Sequence, residues 1–441
     1  MGKNKVKKSL KSSFLDGIFA SCMIGLTIDY ITPYALFLKA KAYQIGTLSA
    51  LSNLFSSLIQ LKSADLVEKL KSRKKIIVIF VFLHLLMFIP IILIPFIFKD
   101  NPVLFLVIFV CLLNGFSAFA GPAWSSLMSE YIPSRLRGRY FGWRNRIFGT
   151  VTVLSSFVAG FILHLHKDNP LKGFLLIFNL AFLARFISWY FLMQMYEPTH
   201  RINKDAYFSF FDFIFRIKKS NFAKFVLFVS VLNFCVNIAS PFFSVFMIKD
   251  LKFNYLTYTI LVTTVSIANI LSIKRWGLIA DRIGNVKVLR TTSFLIATLP
   301  LWWIICHNPI YLVLIQALSG FAWAGFQLCT TNFIYDAVTT PKRTRCIAYF
   351  NVFSGVASCL GALLGGCFVE ILPSLFGYKI LSLFLVSSIL RFLMVGFLSF
   401  RIKEVRKVEE ISSKDLFFSV AGLKPIFGIT VDTKQLVRKE E

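Results

Sequence analysis

The sequence has little charge, and very little negative charge in particular. Only 16% of its 441 residues are charged, with 21 Asp and Glu against 49 Lys and Arg, whereas 56% are hydrophobic. The mean hydropathy of +0.71 is too high for a chain that presents a polar surface to water on all sides. These values exclude an ordinary soluble protein and indicate that lipid covers much of the surface.

Sequence patterns of several functional classes are also missing. The eight cysteines include no CxxC pair, and the chain has no G-x-x-x-x-G-K-[ST] loop for nucleotide phosphates. It also has neither an H-E-x-x-H motif nor paired aspartates, which a membrane-embedded enzyme would need. We therefore expect no enzymatic activity, no cofactor and no metal site.

Long apolar stretches recur along nearly the whole chain. A helix needs roughly 20 mostly apolar residues to cross a bilayer. Stretches such as residues 76–98 are apolar throughout, whereas the strands of a membrane barrel alternate in polarity. We predict twelve transmembrane helices, at residues 13–37, 42–61, 76–98, 103–130, 141–165, 171–195, 222–248, 254–276, 288–306, 309–334, 347–372 and 378–400.

The basic residues predict the orientation of these helices. Of the 49 Lys and Arg, 39 lie in the two ends of the chain and in the segments that follow even-numbered helices. Lys and Arg are enriched on the cytoplasmic side of membrane proteins. We expect a multi-pass protein of the plasma (cytoplasmic) membrane with both termini in the cytoplasm. The same bias explains the net charge of +28 without a nucleic-acid partner.

A polar stretch near the middle divides six predicted helices from six. The predicted plan is a basic N-terminus (1–12), a six-helix bundle (13–195), a central loop (196–221), a second six-helix bundle (222–400) and a tail (401–441). We expect the N-terminus, the central loop and the tail to be cytoplasmic. Internal duplication of this kind is common in transporters.

Three sequence matches support a parallel repeat. A P-x-R-x-R turn follows the fourth helix with Arg135 and Arg137, and it recurs after the tenth with Arg343 and Arg345. A polar residue also precedes a proline by four positions in the first helix, at Asp29, and in the seventh, at Asn237. The third match pairs an arginine of the sixth helix with one of the twelfth, at residues 185 and 391. The fold class predicted is therefore an all-α membrane protein with two pseudo-symmetric bundles.

The junction of the eighth and ninth helices carries a recognisable motif. It reads Gly277-Leu-Ile-Ala-Asp281-Arg282-Ile-Gly284, which resembles the signature loop of the major facilitator superfamily. The corresponding loop after the second helix retains Asp65. The resemblance implies two six-helix bundles that rock about a central site, with helices 1, 4, 7 and 10 lining the cavity.

Asp29 is the first candidate for a transport role. A charged side chain at mid-membrane costs about 2.5 to 3.5 kcal/mol on insertion scales, so an acid there calls for a function. We expect Asp29 to be the proton-coupling group. The alternative is structural, because Pro33 leaves the carbonyl four residues earlier without its helical partner.

The remaining site predictions rest on the helices that the resemblance assigns to the cavity and on its motif loops. Each solute-binding candidate could equally form a hydrogen bond between helices. Topology alone could likewise account for the arginines among the gate candidates. The solute-binding candidates are Asn114, Asn233, Asn237, Trp323 and Gln327, and the cytoplasmic gate candidates are Asp65, Gly277, Asp281, Arg282, Gly284, Arg135, Arg137, Arg343 and Arg345.

These features together favour a secondary active transporter. We expect it to move a small solute across the lipid bilayer by alternating access, coupled to protons. A transporter-like sensor or receptor, and a membrane-embedded enzyme, are the alternatives. Both import and export fit the scaffold, and the apolar cavity helices lean towards export.

Overall fold

The structure is a computed structural model that describes residues 2–70, 72–132, 134–197, 220–338 and 340–405. Side chains are described in these ranges except at residues 2–3, 61, 63–70, 129, 134–139 and 340–345. The described residues are almost entirely helical. They form twelve spans, numbered here in chain order.

The first six spans pair with the first six predicted helices. They are span 1 (Gly2–Thr27 and Ile31–Phe37), span 2 (Ala42–Leu70), span 3 (Arg73–Leu86 and Phe88–Ile97), span 4 (Pro102–Tyr131), span 5 (Ser134–Leu165) and span 6 (Pro170–Met193).

The other six spans follow the same plan. They are span 7 (Asn221–Val245, continued by a π-helical turn at Phe246–Asp250), span 8 (Tyr255–Ile283), span 9 (Asn285–Ile305), span 10 (Pro309–Ala337), span 11 (Thr340–Ile371) and span 12 (Lys379–Leu398, ending in a 3₁₀ turn at Ser399–Arg401). The predicted all-α membrane fold is confirmed.

Several helices run well past their predicted ends. Span 1 begins at Gly2 rather than residue 13, span 2 ends at Leu70 rather than 61, and span 5 begins at Ser134 rather than 141. An apolar stretch marks contact with lipid, whereas backbone hydrogen bonds continue through polar residues outside the bilayer. Of the predicted central loop and tail, residues 198–219 and 406–441 lie outside the described part of the chain.

Short connections make successive spans antiparallel within each half. Three spans begin with an Asn-Pro pair, in which Pro102, Pro170 or Pro309 is the first helical residue. Proline suits that position because its fixed φ matches a helix and its missing N–H is not needed there. We call the face at which span 1 begins and span 12 ends the terminal face, and the opposite side the far face.

Span 2 differs from the other spans in composition. Within the described ranges, eleven helical stretches are long and apolar enough to cross a bilayer, and span 2 is not among them. Its polar side chains include Asn53, Ser56, Ser57 and Gln60. Because span 2 packs along span 11 and span 4, it is not surrounded by lipid and tolerates this polarity.

The two halves meet along spans 2 and 11 and along spans 5 and 8. Towards the far face, a Cβ on Gly46 of span 2 would lie 2.6 Å from the carbonyl oxygen of Ala362 and 3.2 Å from the Cα of Gly366, both on span 11. A Cβ on Gly160 of span 5 would likewise overlap Thr259 of span 8. Glycine therefore permits direct backbone contact between the halves.

On the terminal face, two carboxylates hold the start of span 3. Glu130, at the end of span 4, accepts two hydrogen bonds from the Arg73 guanidinium at 2.7 and 2.8 Å. Glu197, just after span 6, accepts the backbone N–H of Arg73 at 2.6 Å. We call this arrangement of Arg73, Glu130 and Glu197 the N-half clamp.

An equivalent C-half clamp holds the start of span 9. Asp336, at the end of span 10, accepts the side-chain N–H of Asn285 at 2.8 Å. Glu404, just after span 12, accepts the backbone N–H of Val286 at 2.8 Å. The carboxylates occupy matching places in the two halves, as the predicted internal repeat requires.

Candidate functional site

A cavity of about 530 Å³ lies where the two halves meet. Span 2 and span 4 of the first half line it together with span 11 of the second. The lining residues are Asn53, Ser56, Ser57 and Gln60 on span 2, Asn114, Ser117, Ala118 and Gly121 on span 4, and Asn351, Ser354, Gly355 and Ser358 on span 11.

Each span presents one helical face to this cavity. On all three spans the lining residues are spaced i, i+3, i+4 and i+7, which places them in one stripe along an α-helix. Nine of the twelve side chains are amides or hydroxyls, and none is charged or aromatic. The amide of Asn351 donates to Gln60 Oε1 at 2.8 Å, so one hydrogen bond in the cavity wall joins the two halves.

Three predicted solute-binding residues, Asn114, Asn233 and Asn237, lie in this region. Asn114 lines the cavity directly. The amide of Asn237 on span 7 donates to Oγ of Ser358, a lining residue, at 3.1 Å. It also donates to the carbonyl of Asn233 at 2.9 Å. These three asparagines therefore belong to the cavity or to the hydrogen bonds directly behind its wall.

The two candidates on span 10 lie elsewhere. Trp323 packs edge-on against Phe326, with ring centroids 5.6 Å apart, and contacts the buried apolar core of the second half. Gln327 is exposed, and its backbone carbonyl accepts the Thr331 hydroxyl at 3.0 Å. Span 10 does not contribute to the lining of this cavity.

The sequence prediction missed the contributions of spans 2 and 11. Asn53, Gln60 and Asn351 were not among the candidates, because the family resemblance placed other helices around the cavity. A detectable signal was present, since polar residues at helical spacing in an otherwise apolar span indicate a face turned away from lipid. That signal is strongest in span 2.

Asp29 lies in the three-residue break between the two helices of span 1. Its carboxylate accepts the hydroxyl of Ser156 on span 5 at 3.4 Å. Its backbone carbonyl accepts the hydroxyl of Tyr258 on span 8 at 2.6 Å. Pro33 leaves this carbonyl without a helical donor, and the Tyr258 hydroxyl of the other half supplies the missing hydrogen bond.

The neighbouring Tyr30 makes a second connection between the halves. Its hydroxyl donates to the carbonyl of Ser156 at 2.6 Å and lies 2.8 Å from Oγ1 of Thr259 on span 8. The rings of Tyr30 and Tyr258 pack edge to face, 6.3 Å between centroids. Asp29 therefore lies at a junction of spans 1, 5 and 8 rather than in the cavity lining.

A buried acid of span 1 was also missed. Asp16 is only 5% exposed and accepts the hydroxyl of Ser188 on span 6 at 2.7 Å. Arg185 donates to the same hydroxyl at 3.1 Å, so the acid and the base share one partner. Arg144 of span 5 adds positive charge nearby. The intramembrane Arg185 was the available signal, because a buried cation needs an acid or other acceptors.

The arginine at the corresponding place in the second half uses backbone acceptors instead. Arg391 is 3% exposed, and it donates to the carbonyls of Ile296 at 3.0 Å and Val236 at 3.3 Å. The repeat therefore preserves a buried arginine but changes what neutralises or solvates it.

The signature loop lies on the terminal face. Gly284 ends span 8 with φ of +92°, a conformation that glycine adopts without strain, and a Cβ there would overlap the Glu404 carboxylate. Asp281 and Arg282 are exposed one turn earlier, on the same helix as Gly277. The remaining gate candidates lie on the terminal-face ends of spans 2, 5 and 11, and their side chains fall outside the described atoms. They are Asp65, Arg135, Arg137, Arg343 and Arg345.

Comparison with solved structures agrees with this fold. A variant of the nucleoside transporter NupG matches with a TM-score of 0.70 at 15% identity, covering 89% of this chain and all of that one. A bacterial homolog of the human lysosomal transporter Spinster, in an inward-facing and unoccupied conformation, matches with a TM-score of 0.61 at 13% identity. That match covers 91% of this chain and 96% of the homolog.

Comparison of sequences gives the family. The multi-drug resistance efflux pump PmrA of Streptococcus pneumoniae is 23% identical over 271 residues, which are 60% of this chain and 66% of the pump, slightly under two thirds of its length. The model of the MFS_1 like family matches residues 17–378. The predicted major facilitator relationship is thus confirmed, and the chain belongs to the MFS_1 like family.

Proposed function

We propose that the protein is a secondary active transporter that carries a small solute by alternating access. The observation that carries this proposal is the polar cavity between the halves, with walls from spans 2 and 4 on one side and span 11 on the other. A site shared by two bundles changes its access when one bundle rocks against the other.

The contacts between the halves are consistent with closure at the far face. Tyr258 holds the Asp29 carbonyl there, and Gly46 lies against Gly366. On this proposal the structure corresponds to a state whose cavity opens towards the terminal face. The excess of Lys and Arg on that face supports a cytoplasmic location for both termini, in the plasma membrane.

We assign proton coupling to the Asp29 carboxylate. The Tyr258 hydroxyl donates a hydrogen bond to the backbone carbonyl of Asp29, which the break in span 1 would otherwise leave unpaired. The Asp29 carboxylate is therefore not required to stabilise the break. Opening of the far face would separate spans 1 and 8 and would change the surroundings of this acid. An intramembrane acid at such a junction is placed to exchange a proton once in each cycle.

The substitution Asp29→Asn tests this assignment. In liposomes that contain the purified protein, we expect solute-driven proton movement to fall below about one tenth of the wild-type rate, with solute binding retained. Asp100→Asn is the matched control, because Asp100 is exposed in the loop between spans 3 and 4. Proton movement that persists in Asp29→Asn would show that Asp29 has a structural role and that proton coupling, if present, depends on another group.

A further inference from the structure

The three helical faces that line the cavity share a short sequence pattern. Residues 53–60 read NLFSSLIQ, residues 114–121 read NGFSAFAG and residues 351–358 read NVFSGVAS. All three begin with Asn-x-Phe-Ser, and a small residue follows in each. The segments lie on spans 2, 4 and 11, and their first, fourth, fifth and eighth positions are the cavity lining.

The shared phenylalanine faces away from the cavity. Phe55 of span 2 packs against Gly115 of span 4, where a Cβ would lie 2.6 Å from its ring. Phe116 of span 4 packs against Phe80 of span 3, with 6.2 Å between ring centroids. Phe353 of span 11 packs against the apolar core of the second half. Each segment therefore uses its aromatic ring for packing and presents an amide and a hydroxyl to the interior.

We propose that the solute of the transporter is an uncharged compound with several hydroxyl groups, such as a sugar or polyol. This rests on the transport function proposed above. Amide and hydroxyl side chains offer both donors and acceptors, which complements an alcohol, since each alcohol group also donates and accepts. Three such pairs around one cavity can hold hydroxyl groups on three sides of a solute.

The lining is also unsuited to other solute classes. An ion would lose its water without meeting an opposite charge, because none of the twelve lining residues is charged. Flat aromatic and lipophilic compounds bind in pockets lined mainly by apolar and aromatic side chains, and no aromatic ring lines this one. The volume of about 530 Å³ is within the usual range for a small-molecule site.

Ser354 gives a second, independent indication of a hydrogen-bonding ligand. Its Oγ is buried and has no hydrogen-bond partner among the described residues, although it lines the cavity. Buried hydroxyl groups are nearly always paired, so this one has a donor and an acceptor to offer a polar occupant once its side chain rotates towards the cavity. Its neighbour Asn351, one turn earlier, carries the bond to Gln60 that joins the halves.

The test measures binding separately from transport. Purified full-length protein in detergent is titrated with sorbitol, glucose and maltose, and in parallel with citrate and tetraphenylphosphonium, with affinity measured by calorimetry. We expect saturable binding of at least one sugar or polyol and none of the two ions. Asn114→Ala and Ser354→Ala should each weaken that binding about 3- to 10-fold, as expected for one lost hydrogen bond.

Two controls separate binding from folding. Ser354→Ala removes a group with no described partner, so the melting temperature should not fall. Asn179→Ala removes an amide on span 6 that donates only to the carbonyl of Leu175 in its own helix, and it should leave affinity unchanged.

The outcomes distinguish this inference from the transport proposal. Binding of citrate or tetraphenylphosphonium in place of every sugar and polyol overturns the inference, as does no binding at all from the neutral panel. Unchanged affinity in both cavity variants overturns it too. Neutral solute that binds at this site but is never carried into liposomes would support the inference and contradict the transport proposal.

Discussion

The guanidinium of Arg73 illustrates how much single contacts matter in this protein. Its side chain is 1% exposed and donates hydrogen bonds to both carboxylate oxygens of Glu130 at the end of span 4. A buried charge that loses its partner is strongly destabilising, because its water is not restored. Glu197 remains nearby, with Oε1 3.9 Å from Arg73 Nε, and it offsets only part of such a loss.

We expect Glu130→Ala to lower the free energy of unfolding by about 2 kcal/mol, which is below the range for a fully buried ion pair because the Glu130 side chain is 33% exposed. Thermal denaturation in detergent measures the effect as a fall in melting temperature. Lys75→Ala is the control, since Lys75 is an exposed cation in the same helical turn. Equal melting temperatures for the two variants would show that the pair contributes little.

The role of an individual residue was predictable where it depends on residues nearby in the sequence. It was not predictable where it depends on a partner far away in the sequence. Asp29 and Pro33 were sufficient to expect an unpaired carbonyl in span 1. That Tyr258 supplies the donor depends on a contact across 229 positions, which no local pattern contains. Asn114 was a candidate because the resemblance assigned its helix to the cavity, and the structure places it in the lining. Asn53 was not a candidate, because its helix had no such assignment.

At the scale of helices, the contact between spans 2 and 11 depends on glycine. Because the Gly46 position lies against backbone atoms of span 11, a larger side chain has no room unless the helices separate. Spans that touch at this point also form two walls of the cavity. The far-face end of this helix pair is therefore expected to control access.

Gly46→Leu should prevent closure at the far face and reduce solute uptake into liposomes below about one tenth of wild type, because the added Cβ meets backbone that cannot rotate away. Gly396→Leu on span 12 is the matched control, since a Cβ there meets nothing within 4 Å. Uptake by Gly46→Leu at the level of this control would show that close packing here is dispensable.

The existence of every helix was predictable, and several ends were not. Apolar runs report the part of a helix that contacts lipid. Span 5 continues for about two turns beyond that part through Arg135 to Tyr140, where its hydrogen bonds are made outside the apolar layer. A hydropathy pattern cannot register those turns, because their side chains are as polar as those of a loop.

At the scale of the whole molecule, the distribution of Lys and Arg predicts the topology. A short epitope inserted at His166–Asn169, on the far face, should be labelled by antibody in intact cells. The same epitope placed before Gly2, on the terminal face, should be labelled only after permeabilisation. The reverse pattern would invert the assigned orientation and with it the direction in which the cavity opens.

The duplicated plan was visible in the sequence only in part. Matching arginines and P-x-R-x-R turns indicated two related halves, but the clamps did not, because Arg73 and Asn285 are different residues in the same structural role. Equivalent geometry is retained through carboxylates at the ends of spans 4 and 10 and after spans 6 and 12. Such equivalence becomes apparent only when the helices are placed together.

The uncharged lining of the cavity also has an electrical consequence. A neutral solute in a neutral site moves no charge across the membrane, so the membrane potential acts on the cycle only through a coupled ion. One proton carried with each solute would gain about 2.3 kcal/mol per 100 mV, enough for a solute gradient of about 50-fold. The current through such a transporter would then count protons alone, and its ratio to solute flux would give the stoichiometry directly.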